Sequence, residues 1–308
     1  MLVHHQRGAF ELFQGDSAEI LRHFPANSAG SLITDPPGGV GKDGNLWDTF
    51  SPEFLSEIEE KNYVNRSERQ QRFSLAYYSG TYDLSRKGGA LFRKQLQPIF
   101  AQSHRVLKPG AFALVWASTR SFHWTATALE NAGFRIRDMV AQLSGNGVPM
   151  WGNLKPLMDP WILAQKAPEG SVKNNIRKWN TGALNIDPCR VGKRYPNNVI
   201  LSHHEQCGQE CMIGCPIDDL RRQGKAHYFY QSRNARPRNS HPTSRPTPLM
   251  RYFCRLITNP GEVVLDPFGG SGSTGVAALL EGMRFVGIER ESSYIDIATK
   301  RLLRILLH

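Results

Sequence analysis

The most informative stretch of this chain is a glycine-rich turn: Asp266-Pro267-Phe268-Gly269-Gly270-Ser271-Gly272-Ser273-Thr274. It follows a predicted strand over residues 262–265 and opens a predicted helix over 273–280, the setting in which a glycine cluster forms a ligand site. Glycines let backbone amides approach a ligand closely, and the amino end of a helix favours an anionic group. The turn has neither the Gly-Lys-Ser/Thr ending of a Walker A loop nor the full GxGxxG dinucleotide spacing. It therefore predicts a ligand site of another type.

Two acidic residues extend this predicted site outward from the turn. Glu289 ends the next predicted strand, over 285–288, where a carboxylate can accept both hydroxyl groups of a ribose. Asp35 ends a predicted strand over 31–34, because Pro36 and Pro37 cannot continue a ladder. Ligands of open α/β sheets bind at the carboxyl edge of the strands, so Asp35 is predicted to face the same crevice as the glycine turn.

The rest of the chain alternates between strand and helix patterns in two regions. Strands are predicted over 11–14, 111–117, 135–143 and 161–164, and helices over 17–24, 91–106, 118–132, 249–258 and 292–306. This alternation predicts an α/β fold with a parallel sheet. Residues 43–90 are interpreted as a long loop region with a helix near 53–61, and residues 168–225 lose the alternation.

Composition limits the class of protein and its partners. The 308 residues include 38 Lys and Arg against 27 Asp and Glu, a net charge of +11 that makes a polyanion the first partner to consider. No apolar run is long enough to span a membrane, and residues 1–7 lack the apolar stretch of a signal peptide, which predicts a cytoplasmic protein. Five cysteines without a secretion signal indicate free thiols or metal ligands rather than disulfides.

The positive charge is concentrated in residues 221–255, which contain nine basic residues and no acidic one. The same stretch holds aromatic and polar side chains that can stack on bases and contact phosphates. On charge alone, a solvated basic loop explains the stretch equally well. The predicted nucleic-acid contacts in and beyond this stretch are Arg233, Arg236, Arg238, Tyr230 and Trp47.

Four segments, in their order along the chain, resemble the amino-group DNA methyltransferases of the circularly permuted β class. They are Thr34-Asp35-Pro36-Pro37, His241-Pro242-Thr243-Ser244-Arg245-Pro246, Asp266 to Gly272, and Gly287-Ile288-Glu289. The resemblance covers residues 8–166 and 226–306, and Trp47-Asp48 is similar to a phage and bacterial branch of that family.

The resemblance implies a Rossmann-like fold that binds S-adenosyl-L-methionine (AdoMet), with a mixed, mostly parallel sheet, helices on both faces and a circularly permuted order. It divides the chain into a catalytic core, residues 1–167 and 226–308, and a small target-recognition insert, residues 168–225. It implies double-stranded DNA as the partner and a nucleoid-associated location in the cytoplasm. The sequence leaves open the target site, a monomeric or dimeric state, and whether a restriction enzyme accompanies the protein.

The resemblance also assigns roles by position. Asp35 and the carbonyl of Pro36, with Pro37 holding the turn rigid, would accept hydrogen bonds from the amino group of a flipped base. Transfer would then proceed in line, without a covalent intermediate. The AdoMet-binding residues would be Asp16 near the adenine, Glu289 at the ribose, and a set around the methionine part: Thr243, Asp266, Phe268, Gly270, Ser271 and Gly272.

Two departures from the family pattern concern the catalytic site. The family carries an aromatic residue after the second proline to stack on the flipped base, whereas this chain has Gly38, so the aromatic would come from Trp47, Phe50 or Trp116. The usual Gln-Lys pair is Ser244-Arg245 here, which keeps the positive charge.

The Asp at the start of the turn favours adenine N6 as the acceptor, with cytosine N4 as the alternative. An RNA amino-methyltransferase and a catalytically silent DNA-binding relative remain further alternatives. A cytosine-C5 mechanism needs a nucleophilic cysteine, but Cys189 follows its proline without the accompanying motifs and is interpreted as structural.

Three of the five cysteines lie within nine residues: Cys207, Cys211 and Cys215. With His203 or His204 they could form a tetrahedral zinc site of three thiolates and one imidazole, and His204 is the predicted fourth ligand. Their spacing differs from that of zinc ribbons, and three free thiols around a loop explain it equally well.

Overall fold

The computed structural model describes residues 2–38, 86–144, 154–155, 157–204, 206–208, 210–213, 215–233 and 244–307. The strands in these ranges are β1 (Leu2–Arg7), β2 (Phe10–Gln14), β3 (Ala29–Thr34), β4 (Leu107–Trp116), β5 (Arg135–Ser144), β6 (Met158–Gln165), β7 (Val199–Ser202), β8 (Tyr230–Ser232), β9 (Val263–Asp266) and β10 (Arg284–Glu289). The helices are α1 (Ser17–Leu21), α2 (Arg86–Val106), α3 (Phe122–Asn131), α4 (Val172–Trp179), α5 (Pro216–Arg222), α6 (Thr247–Ile257), α7 (Ser273–Leu280) and α8 (Ser292–Leu306).

All ten strands join one mixed sheet in the order β1-β2-β10-β9-β3-β4-β6-β5-β7-β8. The five strands from β2 to β4 in this order pair in parallel, and so do β5, β7 and β8. Only β1 and β6, among these strands, run antiparallel to their neighbours. The predicted mixed, mostly parallel sheet is therefore confirmed, and β3 precedes β9 along the chain as the circular permutation requires.

The sheet buries apolar side chains on both of its faces. Successive strand residues point to opposite faces, so Leu32 and Ile33 of β3 enter different core layers. Leu32 packs in the layer covered by α1, α2 and α3, and Ile33 in the layer covered by α6, α7 and α8. The prediction of helices on both faces is confirmed.

Most predicted elements occur within a few residues of their expected ends, but two expectations need correction. The predicted parallel neighbours at 111–117 and 135–143 are separated by the antiparallel strand β6, because the chain turns back on itself before reaching 158–165. The predicted helix over 118–132 begins only at Phe122, after a turn that Ser121 ends. The predicted helix near 53–61 lies outside the described residues.

The segment over 168–225 has more regular structure than its sequence indicates. It contributes α4, α5 and β7, and β7 extends the same sheet beside β5. Cys189 and Ile200 from this segment are buried in the layer covered by α6. The segment therefore shares the core of the chain, while its role in target recognition stays a prediction.

No helix within the described ranges is both long enough and apolar enough to cross a lipid bilayer.

Asn175 of α4 joins the beginning of the segment 168–225 to the sheet through hydrogen bonds. Its fully buried side-chain amide donates to the carbonyl oxygens of Pro109 (2.9 Å) and Thr181 (2.7 Å), and its Oδ1 accepts from the amide of Glu169 (2.8 Å). One side chain thus bonds three backbone groups, of which the Pro109 carbonyl also accepts from the Thr181 hydroxyl (2.6 Å).

Asn175→Ala should lower the free energy of unfolding by about 3 kcal/mol, since it removes these three hydrogen bonds and leaves a cavity. Asn174→Ala is the matched control, because the Asn174 side chain is exposed on the same helix. It should change stability by no more than about 0.5 kcal/mol. Denaturant titration measures both, and equal effects of the two substitutions would contradict the fastening role of Asn175.

Candidate functional site

A cleft lies at the carboxyl ends of the parallel strands. The space inside the cleft, counted together with the solvent at its open side, is about 1010 Å³. Because these strands run in the same direction, they all end at the cleft, and the predicted segments that follow them meet there. The wall includes these predicted residues: Asp16, Asp35, Pro37, Asp266, Phe268, Gly270, Ser271 and Glu289.

The glycine turn, residues 266–274, joins β9 to α7 and takes a shape that needs glycine. Gly270 and Gly272 have φ angles of 49° and 76°, in the left-handed region where other residues are strained. A Cβ on Gly272 would also lie 2.9 Å from the Cβ of Ala298 on α8. The turn and α8 therefore pack too closely for any larger residue at position 272, which makes its part in the site a structural one.

Arg301 of α8 supports the turn from below. Its Nη1 donates to the carbonyl oxygen of Ser271 and to the hydroxyls of Ser271 (3.0 Å) and Ser273 (3.2 Å). Burial lowers the pKa of the Arg301 guanidinium to about 10, which leaves it charged at neutral pH. The sequence analysis missed this residue, because nothing in the amphipathic pattern of the last helix distinguishes it.

Asp266 is a buried carboxylate at the end of β9. Its Oδ1 accepts from the hydroxyl of Thr34 (2.6 Å) and from the amide of Phe268 (3.1 Å), so β3 and β9 are joined where both strands end. Burial raises its pKa to about 6, and the hydrogen bonds from Thr34, Thr274 and Phe268 offset only part of that effect. Asp266 is thus a carboxylate that gains from a cationic ligand.

Glu289 and Asp16 lie at the other end of the cleft. The Glu289 carboxylate accepts from the amides of Gly270 (2.7 Å), Arg290 (2.8 Å) and Glu291 (2.9 Å). Burial raises the pKa of Glu289, while these amides act in the opposite direction. Asp16 caps α1 by accepting from the amide of Glu19, and the neighbouring amide of Gly15 donates to the carbonyl of Glu289.

The strongest contact across the cleft joins Asp35 to Arg245. Arg245 Nε and Nη2 donate to the two carboxylate oxygens of Asp35 at 2.6 and 2.9 Å, a bidentate geometry that a lysine cannot form. Burial acts to lower the pKa of Arg245, but Asp35 and then Asp159 outweigh it and raise the pKa. The sequence alone predicts only that Arg245 keeps the positive charge of the family's lysine. In the structure, Arg245 holds the predicted catalytic carboxylate of Asp35.

The space that an aromatic residue after the second proline would fill is already occupied. A Cβ on Gly38 would lie 3.3 Å from two ring carbons of Trp116, at the end of β4. The Trp116 ring lies under the Arg245 guanidinium, 4.6 Å from its centroid, and its Nε1 donates to Asp159 (3.1 Å). Trp116, one of the three predicted aromatic candidates, is therefore the aromatic beside Gly38; Trp47 and Phe50 lie outside the described residues.

Much of the basic stretch over 221–255 takes part in ion pairs. Arg245 pairs with Asp35, Arg222 with Asp218, and both Arg251 and Arg255 with Glu281. Exposed basic residues of the stretch that the structure describes include Arg221, Lys225 and Arg233. The sequence could not reveal these pairs, because their acidic partners, Asp218 apart, lie far away in the chain.

The structure describes only some of the remaining predicted residues, namely those expected to contact nucleic acid, to accept the base or to bind the cofactor. Tyr230 is partly buried and stacks on Tyr252 with ring centroids 3.9 Å apart, a placement that favours packing over the predicted contact with nucleic acid. Pro36 lies in the described turn between Asp35 and Pro37, but it is not among the residues that line the cleft. Arg236, Arg238 and Thr243 lie outside the described residues.

The cysteine cluster also forms, with one change. The structure groups Cys207, Cys211 and Cys215 with His203, whereas the predicted ligand His204 turns its Nδ1 to the amide of Gln206. Cys189 is buried elsewhere, and burial raises its thiol pKa to about 11, which disfavours a nucleophilic thiolate.

The cleft fits AdoMet in the chemistry of its donors. Buried carboxylates at Asp266 and Glu289 suit a cation and a pair of ribose hydroxyls, and the tight glycine turn opens a helix beside them. The mixed sheet and the carboxylate-lined cleft, with the Asp-Pro-Pro turn on its wall, agree with the AdoMet-dependent methyltransferase fold that the motifs imply.

Comparison with known proteins identifies the family. Residues 31–300 match the model described as DNA methylase, so the chain belongs to the N6/N4 DNA methylase family. It is an AdoMet-dependent DNA methyltransferase that acts on an exocyclic amino group. The resemblance stated from the motifs is confirmed.

Individual relatives are distant but span nearly the whole chain. The Type II methyltransferase M.HindIII of Haemophilus influenzae is 22% identical, covering 94% of each chain. The DNA adenine methyltransferase YhdJ of Escherichia coli K12 is 23% identical, covering 94% of this chain and 82% of the relative. The crystal structure of the M1.HpyAVI-SAM complex is 19% identical, covers 95% of this chain and 98% of its own, and gives a TM-score of 0.55.

Asp266 should make stability depend on pH in a defined direction. Its folded-state pKa of about 6 lies above the ordinary value of 3.8, so ionisation costs the folded state stability. That cost is absent below about pH 4 and complete above about pH 6. Asp266→Asn, which keeps an acceptor for Thr34 and Phe268, should therefore gain stability relative to the parent between pH 4 and 7.

Thermal unfolding of both proteins across this range measures the difference. Asp296→Asn, which removes an exposed carboxylate of α8, is the control. A difference between Asp266→Asn and the parent that does not change with pH would show that the Asp266 carboxyl does not titrate in this way.

Proposed function

We propose that the protein methylates the N6 amino group of adenine within a specific site of double-stranded DNA. The observation that carries this proposal is the placement of Asp35 and the glycine turn on the walls of one cleft. An aspartate at the start of the catalytic turn favours adenine, and the relative YhdJ is named as an adenine methyltransferase. Cytosine N4 is the alternative acceptor within the same family.

Within the cleft, the cofactor residues divide according to their chemistry. Asp266 and the backbone of Phe268, Gly270 and Ser271 would hold the methionine part of AdoMet. Glu289 would accept the ribose hydroxyls, and Asp16 would lie near the adenine. Thr243 belongs to the methionine set by its motif. When bound, AdoMet supplies an electrophilic methyl group on a sulfonium sulfur.

The catalytic turn positions the acceptor nitrogen of the target base. A flipped base has an amino group whose hydrogens can be accepted by the Asp35 carboxylate and the Pro36 carbonyl, while Pro37 keeps the turn rigid. These hydrogen bonds direct the nitrogen lone pair into the cleft and stabilise the positive charge that develops on nitrogen. Each Asp35 oxygen that accepts from Arg245 retains a second lone pair, so the carboxylate can accept from the amino group of the base at the same time.

Arg245 and Trp116 hold this arrangement in place. Arg245 fixes the plane of the Asp35 carboxylate through two hydrogen bonds and packs on Trp116. The Trp116 ring fills the space beside Gly38 where the family carries its aromatic residue. We assign Trp116 the role of forming the apolar wall of the base pocket, and the hydrogen bond from Ser121 to the Gly38 carbonyl (2.8 Å) fixes the turn against it.

The exposed basic residues support DNA as the partner, and the named relatives support a biological role. Arg221 and Lys225 are exposed within the segment 168–225, to which we assign target recognition, and Arg233 is exposed just after it. Arg236, Arg238 and Trp47 would extend the DNA contact. Such phosphate contacts make binding weaken steeply as salt rises. M.HindIII is named as a Type II methyltransferase, which supports a role in restriction and modification. We assign this role to the cytoplasm, at the nucleoid.

Asp35→Ala should abolish methyl transfer while AdoMet binding changes little, because Asp35 contacts the acceptor and not the methionine set. Asp35→Asn, which keeps one oxygen toward Arg245, should also lose more than about a hundredfold in rate. Labelled AdoMet with duplex DNA, single-stranded DNA and RNA measures transfer, and calorimetry measures binding. An active Asp35→Ala variant would refute the catalytic assignment.

Mass spectrometry of the nucleosides from the methylated duplex identifies the product. N6-methyladenine supports the proposal, and N4-methylcytosine establishes the alternative. Transfer to RNA alone, or none to any substrate by folded protein that binds AdoMet, contradicts it.

Arg245→Lys should lower kcat by a factor on the order of 10 to 100, since an ammonium cannot make the bidentate contact or stack on Trp116. Arg251→Lys is the matched control, because Arg251 pairs with Glu281 outside the cleft. The Arg251 variant should keep the parental rate. Equal rates for the two variants would show that the paired geometry at Asp35 is dispensable.

A further inference from the structure

Four side chains with metal-binding atoms meet between β7 and α5, away from the AdoMet cleft. His203 follows β7 directly, Cys207 and Cys211 lie in the loop, and Cys215 precedes α5. Their ligand atoms all lie within 4.8 Å of one another. We refer to these four residues as the thiol-imidazole cluster.

The distances within the cluster suit a tetrahedral metal ion. Zinc bonds of about 2.3 Å to sulfur and about 2.0 Å to nitrogen place tetrahedral N and S ligands about 3.5 Å apart. His203 Nδ1 lies 3.3 Å from Cys211 Sγ and 3.8 Å from Cys215 Sγ, on either side of that value. These two nitrogen–sulfur distances therefore need only a small adjustment for the three side chains to bind one ion.

The surroundings of the cluster suit negatively charged thiolates. Arg221 Nη1 lies 4.0 Å from Cys211 Sγ, so a positive charge stands beside one of the sulfur ligands. Three thiolates and a neutral imidazole around a divalent ion carry one net negative charge, which a neighbouring guanidinium offsets. Such outer contacts orient the ligands of metal sites.

The local core is too small to explain how this segment keeps its shape. In the described part of residues 203–215 there is neither helix nor strand, and Ile213 is 94% exposed. The associated apolar cluster has four buried members, Leu201, Cys215, Ile217 and Ala226. Small units with so little buried apolar surface commonly depend on a metal for stability.

We propose that the thiol-imidazole cluster binds one structural zinc ion. Thiolate and imidazole ligands together select zinc, and four protein ligands leave no open position for catalysis. The ion would join the end of β7 to the start of α5. Because the amide of His203 donates to Ser232 of β8 (2.9 Å), it would also fix the exposed Arg221 and Arg233 relative to the sheet.

The two adjacent histidines give a matched pair of variants for the test. Protein purified without chelator should contain about one zinc per chain by mass spectrometry, as should His204→Ala. His203→Ala and Cys211→Ser should contain well below one equivalent. AdoMet-induced stabilisation, which depends on the distant cleft, shows that each variant is folded.

Cobalt substitution provides a measurement that needs no variant. Metal-free protein titrated with Co²⁺ should develop the visible bands and thiolate charge-transfer absorption of a tetrahedral site, saturating near one equivalent. Folded parental protein with negligible zinc and no tetrahedral cobalt spectrum would overturn the proposal. Equal zinc in the His203→Ala and His204→Ala variants would overturn it too, and neither outcome would bear on the methyl-transfer assignment.

Discussion

Parallel pairing of β2, β10, β9, β3 and β4 is the constraint on which the site depends. Strands that run in one direction end at one edge, so residues far apart in the chain meet there without any local signal. The hydrogen bond from Thr34 to Asp266 joins the Asp35-Pro36-Pro37 turn to the glycine turn across 232 positions of sequence. With that register fixed, the carboxylates of Asp35, Asp266 and Glu289 line one cleft.

The sequence predicted what is local and missed what depends on contact between distant segments. The glycine turn, the Asp-Pro-Pro turn and most helices have short-range patterns, so both walls of the cleft could be predicted. Strands β7 and β8 have four and three residues, too few for a periodic pattern. The choice of His203 over His204 depends on the direction in which the chain leaves β7, which no composition of the loop reveals.

The structure also changes what the net charge means. Four of the nine basic residues in 221–255 are committed to carboxylates within the protein, and one of these, Arg245, holds Asp35 on the wall of the cleft. Charge in this stretch therefore serves two purposes: it stabilises the helix α6 and the Asp35 turn, and it leaves an exposed group for a polyanion. A count of residues cannot separate these purposes, because each depends on the distance to an acidic partner.

The stacked pair of Tyr230 and Tyr252 has a mechanical consequence. Tyr230 belongs to the edge strand β8, and Tyr252 to α6, the helix that begins just after Arg245. Close-packed interiors transmit displacement rather than absorb it. The edge strand β8 is therefore held to the helix whose preceding residues carry the guanidinium bound to Asp35, and the sheet edge and the cleft wall are packed as one body.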